Sequence, residues 1–219
     1  HLALLEIIES KRVRFVGNLN GLAGHLQKAL KNAISEQSVS RMVAHDPHFW
    51  TEDESGFTEI RNRLGWLGLP SQQLALIPEL EAFRDELLAE GFTDAFVLGM
   101  GGSSLAPEVI SQAIATTLVS GRGLKLQIID TTNPEEIAFR CEGIDLTKTV
   151  FVVSSKSGST SETLSAMKYF WYELEKLGVQ HPGYNFIAVT DPDTSLQHLA
   201  ESKNFRKVFN ARPDVGGRY

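Results

Sequence analysis

Five hydroxyl side chains and one cation crowd into seven residues at Ser154-Ser155-Lys156-Ser157-Gly158-Ser159-Thr160. Many short donors with one positive charge, set directly before a helix start, make a pocket for an oxyanion, and phosphate is the obvious fit. A structural role competes for part of the set. Ser159-Thr160-Ser161-Glu162 has the spacing of a capping box, in which Ser159 and Glu162 would satisfy orphan N–H groups of the helix. Capping requires only those two, which leaves Ser155, Lys156, Ser157 and Thr160 for a ligand.

A second candidate is Gly99-Met100-Gly101-Gly102-Ser103-Ser104. Three glycines allow a tight turn and close approach of the backbone to a ligand, and the helix start behind them is expected to offer unpaired N–H groups and the positive end of a dipole. Ser103 or Ser104 could cap that helix or reach the same anion. Other chemistries fit less well. No Gly-Lys-Ser/Thr triplet closes a Walker spacing. Gly99 and Gly101 match the first two glycines of a dinucleotide fingerprint, and Asp130 ends the next strand where a ribose-binding acid would sit, but Ser104 stands at the third glycine. A dinucleotide-binding oxidoreductase therefore ranks below a phosphomonoester site. The G-x-S-x-G nucleophile elbow is absent. Among the six histidines, His45 and His48 flank Asp46 without a metal-ligand pattern, and His181 and His198 lack a nearby partner. No metal and no cofactor are expected.

These loops need elements to position them. From Thr93 onward short apolar runs alternate with longer amphipathic stretches, the pattern of βαβ units around a buried parallel sheet. The expected strands are 95–98, 124–129, 149–153, 185–189 and 207–209, and the expected helices are 105–118, 134–140, 161–177 and 196–201. The fold class is thus α/β: a doubly wound, five-stranded parallel sheet behind an N-terminal helical extension. Residues 1–90 form that extension and 91–219 the sheet domain. In such sheets ligands bind beyond the carboxyl ends of the strands, where both candidate loops fall. The first 90 residues suggest helices at 22–45 and 72–90. The Asn62-Arg63-Leu64-Gly65-Trp66-Leu67 stretch between them reads as a turn, closed by Gly68 and Pro70, whose Trp and Leu side chains cover a core.

Composition sets outer limits. With 42% hydrophobic and 22% charged residues the chain can bury a core. A net charge of -6 without a dense Lys/Arg run argues against nucleic acid. A lone cysteine, Cys141, excludes an internal disulfide and suits a reducing compartment. No apolar run approaches the roughly 18 residues that cross a bilayer. A cytoplasmic protein with no membrane partner is expected, and the ends of the chain suggest part of a longer protein.

Taken in order, Gly99-Met100-Gly101-Gly102-Ser103-Ser104, then Ser155-Lys156-Ser157-Gly158-Ser159-Thr160-Ser161-Glu162-Thr163, then Gly216-Gly217-Arg218 resemble the glucose-6-phosphate isomerase family and its sugar isomerase (SIS) domain. Residues 62–67 are similar to the isomerase part of bacterial transaldolase/glucose-6-phosphate isomerase fusions. The resemblance implies a flavodoxin-like SIS fold and a phosphate site at Ser103, Ser155, Ser157 and Thr160, supported by Gly101, Gly102, Lys156 and Glu162. An aromatic residue common in the second motif is Gly158 here, as in the wider SIS group. The implied reaction is aldose to ketose conversion through an enediolate, with Arg218 stabilising the developing charge. The family's carboxylate base, histidine and lysine would lie beyond Tyr219, so this chain is expected to bind a sugar phosphate without turning it over. Glucose 6-phosphate or fructose 6-phosphate is the implied partner, and a homodimer the implied assembly. A stand-alone SIS module that senses a sugar phosphate is the alternative.

Overall fold

A computed structural model describes residues 22–115 and 123–216. By compactness the chain divides into two units, His1–Arg61 and Asn62–Tyr219. In the first, α1 (Ala23–Ser35) and α2 (Ser38–Val43) replace the single helix expected at 22–45. The break is Gln37, whose φ of 52° is left-handed and ends α1 as a residue just past a C-cap commonly does. Two short 3-10 turns and α3 (Phe57–Arg61) follow. Asp46, set between His45 and His48, accepts from the His48 N–H at 3.0 Å and pairs with Arg41 at 2.6 Å. The Arg41 hydrogen bond holds its carboxyl below the usual aspartate range.

The second unit opens with Leu64 bridging antiparallel to Val215. A 3-10 turn at Gly65–Gly68 runs into α4 (Leu69–Gln72), so Gly68 and Pro70 start a helix where the sequence suggested a closing turn. Leu64 is buried at 7% exposure as expected, whereas Trp66 is 40% exposed. After another 3-10 turn, α5 (Ile77–Ala89) begins with Pro78 in its first turn, where a missing N–H removes nothing the helix needs.

The sheet holds β1 (Asp94–Gly99), β2 (Lys125–Ile129), β3 (Thr149–Ser154), β4 (Phe186–Thr190) and β5 (Lys207–Asn210), within about a residue of expectation. Their order is β2-β1-β3-β4-β5, and every neighbouring pair is parallel. Helices α6 (Gly102–Ala115), α7 (Pro134–Arg140), α8 (Ser161–Lys176) and α9 (Ser195–Ser202) follow β1 to β4 in turn. α6 begins three residues before the expected 105, and residues 116–118 of that expected helix lie outside the described residues.

β1 is buried along its whole length, and after Asp94 its side chains Ala95, Phe96, Val97 and Leu98 are apolar on both faces of the sheet. On one face Phe96, Leu98, Phe151, Val153 and Phe186 meet Ile137 of α7, Met167, Phe170 and Leu174 of α8, and Leu196 of α9. The rings of Phe151 and Phe170 stack at 4.6 Å, and those of Phe151 and Phe186 at 5.1 Å. Such pairs contribute about 0.5–1.5 kcal/mol each beyond area burial. On the other face Ala95, Val150 and Ile187 meet Leu87 of α5 and Phe92. The helix expected at 72–90 therefore covers the sheet. Arg206 fastens it there, bonding Glu86 at 2.9 Å, Glu90 at 2.6 Å and the Tyr184 carbonyl at 2.8 Å. No helix among the described residues is long and apolar enough to cross a membrane.

Candidate functional site

β1 pairs with β2 on one side and β3 on the other, so the strand order reverses there. Its crossover runs one way and that of β3 runs the other, which opens a crevice at the carboxyl ends of these two strands. Gly99 and Ser154 are register partners at the final rung. Both candidate loops therefore leave the sheet side by side, each feeding a helix start.

In the hydroxyl loop after β3 the Ser155 N–H bonds the Val189 carbonyl at 3.0 Å, and the residue is only 2% exposed. The Ser155 hydroxyl lies 2.9 Å from that of Thr160, while Ser157 and Ser159 form a second hydroxyl pair at 3.0 Å. The expected capping box does not form. The N-cap of α8 is Thr160, whose side chain makes no capping bond. Glu162 therefore falls at the second helical position, one short of the third position a capping box uses, and it is exposed. The first N–H groups of a 16-residue helix and the positive end of its dipole are left facing the loop without a side-chain cap. Gly158 shapes this loop by a close approach. Its φ is 68°, a Cβ there would sit 2.6 Å from Thr194 Cβ, and its carbonyl accepts from the Ser195 hydroxyl at 2.8 Å.

The glycine loop after β1 is less open than the sequence suggested. Gly101 turns through φ 58°. The N–H groups of Ser103 and Ser104 bond back to the carbonyls of Met100 and Gly101 at 3.2 and 3.1 Å, and so are not the unpaired donors expected. The Ser104 hydroxyl also bonds the Gly101 carbonyl, at 3.0 Å, and is buried. Gly102 and Ser103 instead line a cavity of about 820 Å³, with Ser154, Lys156, Asp191 and Gly216 also in its wall. Its floor is apolar, formed by Val150 and Ile187 of the sheet with Leu80 and Phe83 of α5. Ser155, Ser157 and Thr160 are not among the lining residues.

Lys156 does not point its charge at an open oxyanion pocket. Its Nζ pairs with Asp191 Oδ2 at 2.5 Å and donates to the Pro213 carbonyl at 3.2 Å. Arg218 and Gly217 lie outside the described residues, but the chain leading to them is held firmly. The Gly65 N–H bonds the Asp214 carbonyl at 2.9 Å beside the Leu64–Val215 bridge, and Arg212 pairs with Asp214 at 2.5 Å. This grip was missed from sequence, although the 62–67 stretch carried a signal in its resemblance to known isomerases. Two buried side-chain oxygens at this end of the sheet, Thr163 Oγ1 and Asp191 Oδ1, have no hydrogen-bond partner among the described residues. Such groups collect at functional sites, where structure yields to ligand. Among the described residues no cluster of His, Cys, Asp and Glu could hold a metal ion.

The phosphoglucose isomerase family matches residues 88–219. Glucose-6-phosphate isomerase of Acaryochloris marina (strain MBIC 11017) is 29% identical over 226 residues, covering 99% of this chain and 39% of that protein. The enzyme of the same name from Prochlorococcus marinus (strain MIT 9215) is 30% identical over 224 residues, covering 98% and 38%. The chain thus spans about two fifths of the length of these relatives. A hypothetical protein of Thermus thermophilus superposes with a TM-score of 0.69 at 27% identity, over 90% of this chain and 43% of that one. Glucose-6-phosphate isomerase from Chlamydia trachomatis shares the fold at a TM-score of 0.58 and 24% identity, over 81% and 31%. Ordered motifs, sheet topology and a match over more than half of its residues agree that the chain belongs to the phosphoglucose isomerase family.

Proposed function

We propose that this chain is the sugar-phosphate-binding part of a glucose-6-phosphate isomerase. The observation that carries the proposal is the Ser155–Thr160 hydroxyl pair standing before the uncapped start of α8, at the point where strand order reverses. A phosphate there takes the Thr160 hydroxyl, which Ser155 orients from behind, and main-chain N–H groups along a favourable dipole. Ser157 adds a donor from the exposed side, and Ser103 with Gly101 and Gly102 brings the glycine loop to the opposing rim. The isomerisation removes a proton from C2 of the open-chain sugar, passes through an enediolate and returns a proton at C1. Arg218 is assigned to the negative charge that develops on the oxygens.

The proton carrier is assigned to residues other than Asp191 and Glu162. Asp191 is paired with Lys156, and Glu162 is exposed on the first turn of α8. Binding without turnover is part of the proposal. A cytoplasmic homodimer completes the proposal by analogy with the family, and sedimentation checks its assembly.

Calorimetry with glucose 6-phosphate, inorganic phosphate and glucose tests the assignment. Saturable binding of glucose 6-phosphate, competed by phosphate and absent for glucose, is expected. Indifference to glucose 6-phosphate would overturn the site. A coupled assay for fructose 6-phosphate should detect no enzyme-level rate, and rapid conversion would refute the assignment of the proton carrier.

A further inference from the structure

Lys156 occupies the centre of the hydroxyl loop, yet its side chain leaves that loop. Nζ reaches Asp191 Oδ2 at 2.5 Å, the Pro213 carbonyl at 3.2 Å and the Arg212 carbonyl at 3.5 Å. Its main-chain carbonyl is held as well, accepting from the Asp191 N–H at 3.2 Å and the Thr190 hydroxyl at 3.4 Å. One residue thus joins the loops after β3 and β4 to the segment that follows β5. An ammonium has three donors, and here they meet one carboxylate and two carbonyls. Turning Nζ towards an anion would strand the half-buried Asp191 carboxylate, an uncompensated charge that folds avoid.

We propose that Lys156 is a positioning residue. It clamps the Arg212–Pro213 segment, and with it Gly216, to the loop that grips the phosphate, and it makes no direct bond to the anion. The segment is tied elsewhere through its backbone, by the Ala211 N–H to the Thr190 carbonyl at 2.7 Å and by the pairing with Leu64 and Gly65. Neither of those ties reaches the hydroxyl loop, whereas Lys156 belongs to it. Because one side chain bridges the two loops, ordering one of them favours the ordered form of the other. Occupancy of the phosphate site and order in residues 211–216 are therefore coupled, and the coupling is reciprocal. This inference rests on the phosphate assignment above for its ligand, but the clamp itself does not.

The test uses the whole 219-residue chain with Lys156→Met/Asp191→Asn, which removes both charges together so that neither is left unpaired. Hydrogen exchange followed by mass spectrometry reads the amides of Gly65 and Val215, with and without saturating glucose 6-phosphate. Calorimetry with glucose 6-phosphate and with inorganic phosphate reads affinity. In the parent chain ligand should slow exchange at both amides. In the variant basal exchange should rise about tenfold or more, since a charge-assisted tie is lost. Ligand should no longer slow it, while affinity falls by less than about threefold. Lys156→Arg, which keeps donors and charge, should restore slow exchange. Lys156→Gln is read the same way if the double variant does not fold. Unmoved exchange in the variants overturns the clamp. An affinity loss of about tenfold or more shows Lys156 to be a ligand of the anion and also overturns it. If the parent chain binds neither ligand, the phosphate assignment fails by itself, and basal exchange still decides the clamp.

Discussion

Thr160→Ala should weaken sugar-phosphate binding far more than Ser155→Ala, although the two hydroxyls lie only 2.9 Å apart. Ser155 is 2% exposed, whereas Thr160 is only partly buried and stands at the N-cap of α8 without capping it. On the phosphate assignment proposed above, the outer hydroxyl meets the anion, and the inner one orients it by holding one of its two hydrogen-bonding directions. Removing Thr160 deletes a bond to a charged oxygen, about 1.5–3 kcal/mol or roughly 10- to 150-fold in affinity. Removing Ser155 deletes a neutral bond, about 0.5–1.5 kcal/mol or roughly 2- to 12-fold. In the Thr160→Ala background Ser155 has nothing left to orient, so Ser155→Ala should add less than about threefold. Calorimetry of glucose 6-phosphate with the two single variants and the double variant closes the cycle. Because Thr160 makes no capping bond, its replacement costs the fold only the bond to Ser155, about 0.5–1.5 kcal/mol, and the melting temperature should fall by no more than about 6 °C, which separates lost contact from lost fold. Two outcomes would refute the reasoning: factors that multiply fully in the double variant, or a Thr160→Ala affinity within about twofold of the parent.

Gly158→Ala combines a left-handed backbone, which costs an L-residue about 1–2 kcal/mol, with a Cβ driven into Thr194 and the Leu196 N–H, about 1–3 kcal/mol more. A urea unfolding curve should shift down by roughly 2–5 kcal/mol in total, and a curve superimposed on the parent's would contradict the close packing of α9 on this loop. Gly65→Ala places a methyl group against the Asp214 carboxylate and should push apart the Leu64–Val215 bridge. Exchange of the residue 65 amide should accelerate, at about 1–3 kcal/mol of stability, and an unchanged rate would count against the grip. The Arg206 hydrogen bond holds the Glu90 carboxyl below the usual glutamate range. The folded state then binds that proton less tightly than the unfolded chain, so the stabilisation is present above the ordinary carboxylate range and disappears as pH falls through the lowered value. Thermal melts from about pH 6 to about pH 3 should show a shallower decline for Glu90→Gln than for the parent, and parallel curves would remove Glu90 from the acid response.

Periodicity alone was enough for the sheet. The apolar runs that became β1, β3 and β4 are short and sit between Gly, Ser and Asp clusters, and a strand buried on both faces has almost no other sequence it can adopt. The two candidate loops were legible for the same reason, because small and hydroxylated residues directly after such strands are hard to explain by packing. The hidden parts depended on single-residue offsets. Whether Ser159 or Thr160 caps α8 turns on one position, and that position decides whether Glu162 can close a capping box. Likewise the break of the expected 22–45 helix depends on the backbone of Gln37, a residue that carries no breaking signal of its own.

By itself, then, the sequence determined the fold class and the order of the elements, which follow from local patterns repeated along the chain, and the family, which follows from the resemblance of three ordered motifs. Tertiary structure alone decided what the charged groups do. Lys156 reads as a phosphate cation until Asp191 and Pro213, 35 and 57 residues away, are brought onto its Nζ. Leu64 and Gly65 read as a turn until Val215 and Asp214 pair with them across the unit. Charges and backbone donors act on whatever lies within a few ångströms, and only the folded chain determines which residues those are.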